Sequence, residues 1–111
     1  MIQPDSTLRR LEDFSRVYRR GRKLVGDGLI FYCFFKGKTA SRRWAVVVSK
    51  KVSPKAVARN LCRRRLKAAA RKFDWPAWGY DLVIVVKKEA VNQSEIFFKK
   101  DLQAGLLKIF K

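Results

Sequence analysis

The sequence contains no histidine, and nine aspartate and glutamate residues are few for a chain of 111 residues. Without histidine there is no imidazole general base and no Ser-His or Cys-His pair for nucleophilic catalysis. A two-metal nuclease needs several converging carboxylates, whereas these acidic residues are scattered, and the adjacent Glu12 and Asp13 point in different directions on a helix. We therefore expect neither a catalytic residue nor a metal site in the protein itself.

Cysteines and long apolar runs are also scarce. Cys33 and Cys62 stand alone, without a Cys-x-x-Cys pair, and are predicted to be small core residues in a reducing compartment. No apolar run reaches the roughly 18 residues that would span a bilayer. The first ten residues, MIQPDSTLRR, lack the apolar segment of a secretion signal. We expect a cytoplasmic protein without a membrane partner.

Positive charge, by contrast, is abundant. The chain has 27 lysine and arginine residues and a formal net charge of +18, and a protein this basic usually binds a polyanion. Residues 1–73 hold 21 basic and four acidic residues, while residues 74–111 hold six and five. Since 48% of the residues are hydrophobic, the chain is predicted to fold as a single polyanion-binding domain over residues 1–111.

The hydrophobic pattern predicts an α+β fold. LEDFSRVYRRG (11–21) reads as an amphipathic helix with Leu11, Phe14, Val17 and Tyr18 on one side and Gly21 as its end. Further predicted elements are a strand pair interrupted by two glycines (23–35), a strand (42–50), a helix (53–73), a loop (74–79), a strand (80–88) and a closing helix (94–110). Helices packed over a small sheet are expected.

The second predicted helix carries the strongest functional pattern. Ser53 is expected as its N-cap and Pro54 as its first helical residue. At roughly 100° per residue, one narrow arc is apolar and packs on the sheet. That arc comprises Ala58, Cys62, Leu66, Ala69 and Phe73. The opposite arc is a basic stripe of Arg59, Asn60, Arg63, Arg64, Lys67 and Arg71, with Arg65 and Lys72 near the apolar side. Such a stripe suits a phosphate backbone, and the Asn60 amide suits a base edge or ribose.

Aromatic residues suggest a second part of the same function. Phe14 and Tyr18 lie four positions apart on one helix face, and Tyr32 lies in a strand whose side chains alternate between core and open face. Bases of a single strand stack on such rings. Phe14 is as compatible with a core position, whereas the hydroxyls of Tyr18 and Tyr32 favour a partly exposed platform.

These stretches resemble the protein subunit of bacterial ribonuclease P. SPKAVARNLCRRRLK (53–67) resembles the family's signature, an Ala-x-x-Arg-Asn step followed by a basic, apolar and basic helical pattern. LEDFSRVYRRG resembles the first helix of the family, VVVSKKV (46–52) the strand that enters the signature helix, and GYDLVIVVKK (79–88) the strand after it. The resemblance covers nearly the whole chain.

The resemblance implies a fold, a partner and a site. The implied fold is a two-layer α+β sandwich in the order α-β-β-β-α-β-α with a left-handed βαβ crossover, resembling the second domain of a small-subunit ribosomal protein. The implied partners are ribonuclease P RNA, which performs the endonucleolytic cleavage with Mg²⁺ that it mainly holds itself, and precursor tRNA, whose 5′ leader is removed. The residues implied to contact the catalytic RNA are Arg59, Asn60, Arg63, Arg64 and Lys67, with Arg71 continuing the stripe. The residues implied to line the cleft for the single-stranded leader are Phe14, Tyr18, Tyr32, Lys50 and Lys51.

Leu61 departs from the family pattern, which often has a basic residue directly after Arg-Asn; one phosphate contact is therefore in question. Trp75 and Trp78 match no assigned role. A structural RNA-binding protein of the ribosomal type would show the same charge and helix, and only the Arg-Asn signature and the aromatic cleft argue against it. A membrane-surface helix would need a bulkier apolar face than alanines and a cysteine provide.

Overall fold

A computed structural model of the protein describes residues 6–37, 41–51, 53–73, 75–76 and 78–110. The elements are β1 (Ser6–Thr7), α1 (Leu11–Arg20), β2 (Arg22–Val25), β3 (Leu29–Gly37), β4 (Arg42–Val47), α2 (Ala56–Ala70), β5 (Gly79–Val86), a single 3-10 turn (Lys88–Ala90) and α3 (Glu95–Ile109). The predicted α+β order of helix, three strands, helix, strand and helix is confirmed. The short β1 before α1 is an addition that the sequence pattern did not indicate.

The strands form one sheet in the order β1-β4-β5-β3-β2. β3 runs antiparallel to β2 and β5, whereas β4 and β5 are parallel neighbours joined through α2. Parallel neighbours need a long crossover connection, and α2 provides it. The hand of this crossover stays a prediction.

One face of the sheet, called here the sealed face, is covered by α2 and α3. Leu29, Phe31 and Cys33 alternate along β3 toward this face, and each is at most 1% exposed. Leu82 and Ile84 of β5 lie on the same face and are fully buried. The helices contribute Cys62, Leu66, Ala69, Ala70, Phe98, Leu102, Leu106 and Ile109 to this core. The prediction that both cysteines are core residues is confirmed.

The other face, called here the cleft face, carries α1. Val17 of α1 is fully buried and packs with Leu8, Ala45 and Val83. Because α1 packs here, it adds a partial third layer to the predicted sandwich of sheet and helices. Leu11, predicted on the packed side of α1, is instead 88% exposed, although the chain already lies against the sheet at the buried Leu8.

Two glycines allow close approaches that a side chain would block. α1 ends before Gly21, as predicted, and a Cβ on Gly21 would collide with the carbonyl oxygen of Val17. Gly105 in α3 lies against the ring of Phe31, which a Cβ would also strike. These contacts let α1 turn sharply into β2 and let α3 lie close to the sheet.

The start of α2 differs from its prediction. Lys55 is the N-cap, without a side-chain cap, so Ser53 is not the cap and Pro54 is not the first helical residue. Ser53 is buried, and its backbone carbonyl accepts a hydrogen bond from Arg59 Nη1 at 2.9 Å. The capping prediction was wrong, since the helix begins at Ala56, two residues after Pro54.

The predicted loop before β5 is described only at residues 75–76 and 78–79, and residues 74 and 77 lie outside the described residues. Trp75 is buried, and its Nε1 donates to the carbonyl of Ala70 at 3.1 Å. Its ring packs 5.4 Å from Trp44 and 6.4 Å from Tyr80, so its role is to close the end of the core. Trp78 is half exposed. Within the described part of the chain, no helix combines the length and apolar character needed to cross a bilayer.

Candidate nucleic-acid interface

The basic stripe on α2 has two kinds of member. Asn60, Arg64, Lys67 and Arg71 are exposed, as predicted, whereas Arg59 and Arg63 are half-buried. The apolar arc is also confirmed, with Cys62, Leu66 and Ala69 fully buried and Ala58 and Phe73 half-buried. α2 has no acidic residue in its sequence from Ala56 to Ala70, so no neighbour along the helix neutralises the stripe.

Arg63 is held in place by the protein, which the sequence pattern did not indicate. Its Nη1 donates to Asn60 Oδ1 at 3.2 Å, and its Nη2 donates to the carbonyl of Val48 at 3.4 Å. Arg59 is held similarly by the carbonyl of Ser53. Both guanidinium groups therefore start from fixed positions, and less side-chain entropy is lost when they contact a phosphate.

Two cations at the edge of the stripe turn toward α3, as their predicted position near the apolar side requires. Arg65 Nη1 donates to the carbonyl of Gln93 at 3.3 Å, and Lys72 Nζ pairs with Glu95 at 2.7 Å. These contacts tie α2 to the start of α3. They leave the rest of the stripe to face away from the core.

The aromatic residues meet in a cleft between α1 and the sheet. Tyr18 is 41% exposed, and its ring lies edge-on to that of Tyr32, with centroids 4.8 Å apart. Phe14 lies 6.4 Å from Tyr18 and is half-buried beneath it. The prediction that the two tyrosines are partly exposed is confirmed. The pKa of Tyr18 is raised by burial and by the neighbouring Tyr32, so its phenol remains a hydrogen-bond donor at neutral pH.

The register of the sheet shows what lies beside the tyrosines. Lys23 is directly opposite Tyr32 in the β2–β3 pair, so both side chains lie on the cleft face, and Lys23 Nζ is 5.7 Å from the ring centroid. The next row on this face is Val25, Ile30, Val85 and Val47. Val25 is 56% exposed and the other three are half-buried. The row of four aliphatic residues is called here the apolar floor of the cleft. Tyr18 and Tyr32 form the aromatic side of the cleft, and Lys23 adds a positive charge.

Lys50 and Lys51, the predicted cations of the cleft, are exposed and follow the C-terminal end of β4. Val47, the last residue of β4, belongs to the apolar floor. The two lysines therefore leave the sheet at the end where this floor lies. Lys23, which the sequence pattern did not single out, adds positive charge beside Tyr32.

A buried ion-pair cluster lies at the other end of the cleft face, and sequence reasoning missed it. Asp81 of β5 is fully buried and accepts from Arg43 Nε at 2.9 Å and Nη2 at 2.8 Å. Lys36 Nζ lies 2.8 Å from the same carboxylate. Asp13 of α1 pairs with Arg16 at 2.7 Å and with Arg43 at 3.2 Å. The cluster connects α1 to β3, β4 and β5.

The cluster keeps Asp81 ionised. Burial raises the pKa of Asp81, but hydrogen bonds and charge from Arg43 and Lys36 outweigh it and leave the pKa below its ordinary value. The pKa of Arg43 is raised, chiefly by its hydrogen bond to Asp81. One signal was available in the sequence: Asp81 interrupts the apolar run GYDLVIVV, and a charge buried in a strand needs a partner.

Three of the described acidic and thiol groups are either paired or buried. Asp13 and Asp81 are both paired with cations, and burial raises the pKa of the Cys33 thiol to about 12. Across the ranges given above, no group of three or more histidine, cysteine, aspartate or glutamate residues is placed to hold a metal ion. Cations and partly exposed aromatic rings are the features of this surface that suit a nucleic acid.

Comparisons with known proteins agree with this geometry. The chain matches the Ribonuclease P family model over residues 2–110. The ribonuclease P protein component of Pseudanabaena is 42% identical over 73 residues, which span 66% of this chain and 63% of that protein. The component of Rhodococcus jostii is 30% identical over 98% of this chain and 92% of its own length.

A solved structure shows the same fold. The ribonuclease P protein of Thermotoga maritima superposes with a TM-score of 0.79 over 93% of this chain and 96% of its own, at 24% sequence identity. Since the family match leaves out only the first and last residues, and a relative 30% identical aligns over almost the entire length, the chain belongs to the Ribonuclease P protein family.

Proposed function

We propose that the protein is the RNA-binding subunit of a ribonuclease P, in which it binds the catalytic RNA through α2 and the 5′ leader of precursor tRNA through the cleft. The observation that carries this proposal is the pairing of two different surfaces on one small domain. α2 presents cations without acidic neighbours, and the cleft presents Tyr18 and Tyr32 above an apolar floor. Folded RNA requires the first surface, and an unpaired strand requires the second.

The stripe on α2 suits the backbone of a structured RNA. Arg59 and Arg63 are held by backbone carbonyls and provide preset guanidinium groups, while Arg64 and Lys67 extend into solvent. Each phosphate that these cations neutralise releases counterions, which makes binding favourable and strongly dependent on salt. Arg71 extends the stripe to the end of the helix.

The cleft suits single-stranded RNA. A base that stacks on the exposed part of the Tyr18 and Tyr32 rings would lie beside Val25 and Ile30. Lys23 would lie close enough to attract the phosphate next to that base. Lys50 and Lys51 add positive charge beyond the floor. The base faces of a duplex are already stacked on one another and cannot reach these rings, so the cleft favours an unpaired leader over a paired stem.

Cleavage itself is assigned to the RNA. Mg²⁺ prefers oxygen ligands such as free carboxylates, whereas among the described residues Asp13 and Asp81 are occupied by arginine and lysine, and no three acidic, histidine or cysteine residues are grouped to hold an ion. We therefore assign the Mg²⁺ of the reaction to the RNA partner. The protein contributes positive charge that lowers the repulsion between the two RNAs.

The proposal is tested by reconstitution. The protein is combined with a bacterial ribonuclease P RNA and a precursor tRNA, and the rate of leader removal is measured at low and at high magnesium. We expect no cleavage by the protein alone, clear acceleration with the RNA at low magnesium, and a smaller effect at high magnesium, where divalent ions provide the screening.

The variant for this test is Arg64→Ala with Lys67→Ala, and the matched control is Lys99→Ala with Lys100→Ala on α3, which removes the same charge from exposed positions elsewhere. The α2 variant should lose most of the acceleration and the control should keep it. A protein that binds the RNA without accelerating cleavage would instead be a structural RNA-binding protein, and the proposal would be wrong.

A further inference from the structure

A shallow depression of about 370 Å³ lies on the exposed side of α2. Its lining residues Val57, Asn60, Leu61 and Arg64 are spaced three and four apart, so they form one face of the helix. Val57 is 80% exposed and Leu61 is half-buried. The volume is at the lower end of the range of ligand pockets, roughly 300 to 1,000 Å³. Two apolar side chains therefore face solvent in the middle of a basic surface.

Asn60 is oriented within this depression. Its Oδ1 accepts from Arg63 Nη1 at 3.2 Å, and Arg63 is itself held by the carbonyl of Val48. Because the oxygen is engaged, the Nδ2 amino group is the part of the amide that remains to donate. Asn60 therefore presents donors and suits a ligand edge that carries acceptors, such as the ring nitrogens and carbonyl oxygens of a nucleobase.

The remaining residues suit the flat face of the same ligand. Arg64 is exposed, and a guanidinium plane stacks on bases. Val57 and Leu61 offer an apolar surface on which a base can rest. An apolar protein segment would have to approach five arginine and lysine side chains between Ala56 and Ala70 with no acidic residue among them, whereas RNA brings the opposite charge.

We propose that this depression binds one unstacked nucleobase of the RNA partner, with Asn60 donating to its edge and Val57, Leu61 and Arg64 packing on its face. This inference rests on the proposed function, since it assumes that α2 faces the RNA. It gives Leu61 a role of its own: an apolar contact with a base in place of a cationic contact with a phosphate.

The test compares Leu61→Ala with Leu107→Ala, which makes the same change at an exposed leucine on α3. The affinity of each variant for a bacterial ribonuclease P RNA is measured over a range of salt concentrations. Leu61→Ala should weaken binding about three- to tenfold, the scale of a small lost apolar contact. The slope of affinity against salt should not change, because no phosphate contact is removed. Leu107→Ala should match the wild type.

Chemical probing of the bound RNA provides the second readout. One unpaired nucleotide should be protected at its base edge by the wild type and by Leu107→Ala, and should react again with Leu61→Ala and with Asn60→Ala. Val57→Ala, at a position that is 80% exposed, repeats the test without a folding cost if Leu61→Ala is unstable.

Three outcomes would overturn the inference. In the first, Leu61→Ala and Val57→Ala bind the RNA as tightly as the wild type does, so the depression has no RNA ligand. The same result is expected if the depression binds a protein segment. The salt slope could fall with Leu61→Ala, which would show a backbone contact. The protection could also remain in all variants. If the wild type binds no RNA at all, the proposed function is also wrong. Failure of the nucleobase site alone is recognised because the wild type then still binds the RNA.

Discussion

The two faces of the sheet are built from the same strands and are opposite in character. On β3, Phe31 faces α2 and α3 and is fully buried, while its neighbours Ile30 and Tyr32 lie half-buried on the cleft face. The sealed face is apolar and continuous. The cleft face runs from the buried ion pairs around Asp81 to an apolar floor whose side chains stay partly exposed.

The difference shows how one small fold combines a buried core with a face that stays partly exposed. The sealed face buries enough apolar surface to hold the fold, so the cleft face can leave aromatic and aliphatic side chains partly exposed. α1 covers only part of this face and is held there by Val17 and by the pairing of Asp13 with Arg43. The ion pairs thus supplement the small apolar cluster of Leu8, Val17, Ala45 and Val83 on this face.

Asp81→Asn should lower the free energy of unfolding the most, because it removes the fully buried charge that anchors the ion pairs of the cleft face. The variant leaves Arg43 and Lys36 facing an uncharged amide, and removal of one partner from a buried ion pair typically costs about 3 to 5 kcal/mol. The free energy of unfolding, measured with urea, should fall by this amount. An unchanged stability would show that the cluster does not hold α1 to the sheet.

The stability that Asp81 contributes should also depend on pH. Since the folded-state pKa of Asp81 is below its ordinary value, the carboxylate stabilises the fold above the unfolded pKa of about 3.9, and this contribution is lost as pH falls through the lower, folded pKa. The stability gap between the wild type and Asp81→Asn should therefore narrow below about pH 4. A gap that is constant with pH would contradict the assignment.

Ile84→Ala and Ile30→Ala compare the faces directly, with the same residue type on each. Ile84 is fully buried on the sealed face, and its truncation should cost about 2 to 5 kcal/mol. Ile30 is half-buried in the floor of the cleft, so its truncation should cost clearly less. Equal losses in urea unfolding would mean that the two faces are equally packed.

Arg64→Ala with Lys67→Ala should change RNA binding and leave stability intact, because both side chains are exposed. If Lys67 contacts one phosphate while Arg64 packs on a base, the logarithmic salt slope should become shallower by roughly 0.7 to 0.9. Binding to ribonuclease P RNA at several salt concentrations measures this slope. A slope equal to that of the wild type would remove Lys67 from the phosphate contacts.

The smallest effect concerns thiol chemistry on the sealed face. Cys33 is 1% exposed, and burial raises its pKa to about 12, while burial also raises the pKa of Cys62. Thiolates are the reactive form, so alkylation of the native protein at pH 8 should be negligible and should become complete in denaturant. Rapid labelling of the native protein would show that the sealed face opens readily.

Much of this fold could be predicted because its signals are local. The alternation in LIFYCFF and the apolar arc of α2 each depend on neighbouring residues, and the structure confirms both. The contacts that were missed join distant positions. Arg63 reaches Val48 across 15 residues, and Asp81 reaches Arg43 across 38.

The residues of the candidate site likewise fall into those that local sequence patterns indicated and those that only the three-dimensional structure brings together. Charge and aromatic spacing identified α2, Tyr18 and Tyr32, since these patterns repeat along one helix or one strand. Lys23 was missed because its position beside Tyr32 depends on the register between β2 and β3. The start of α2 was misplaced because residue preferences for caps and first turns locate a helix end only to within one or two residues.

The central claim, that the cleft face binds the unpaired leader, is tested most directly by comparing precursor tRNA with mature tRNA. Affinity of the reconstituted enzyme for both is measured with Tyr32→Ala and with Phe35→Ala, an exposed aromatic residue of the same strand on the opposite face. We predict that Tyr32→Ala weakens binding of the precursor by about 1 to 3 kcal/mol, the scale of one lost base stack, and leaves mature tRNA unaffected. Phe35→Ala should change neither. Equal losses for precursor and mature tRNA with Tyr32→Ala would contradict the claim.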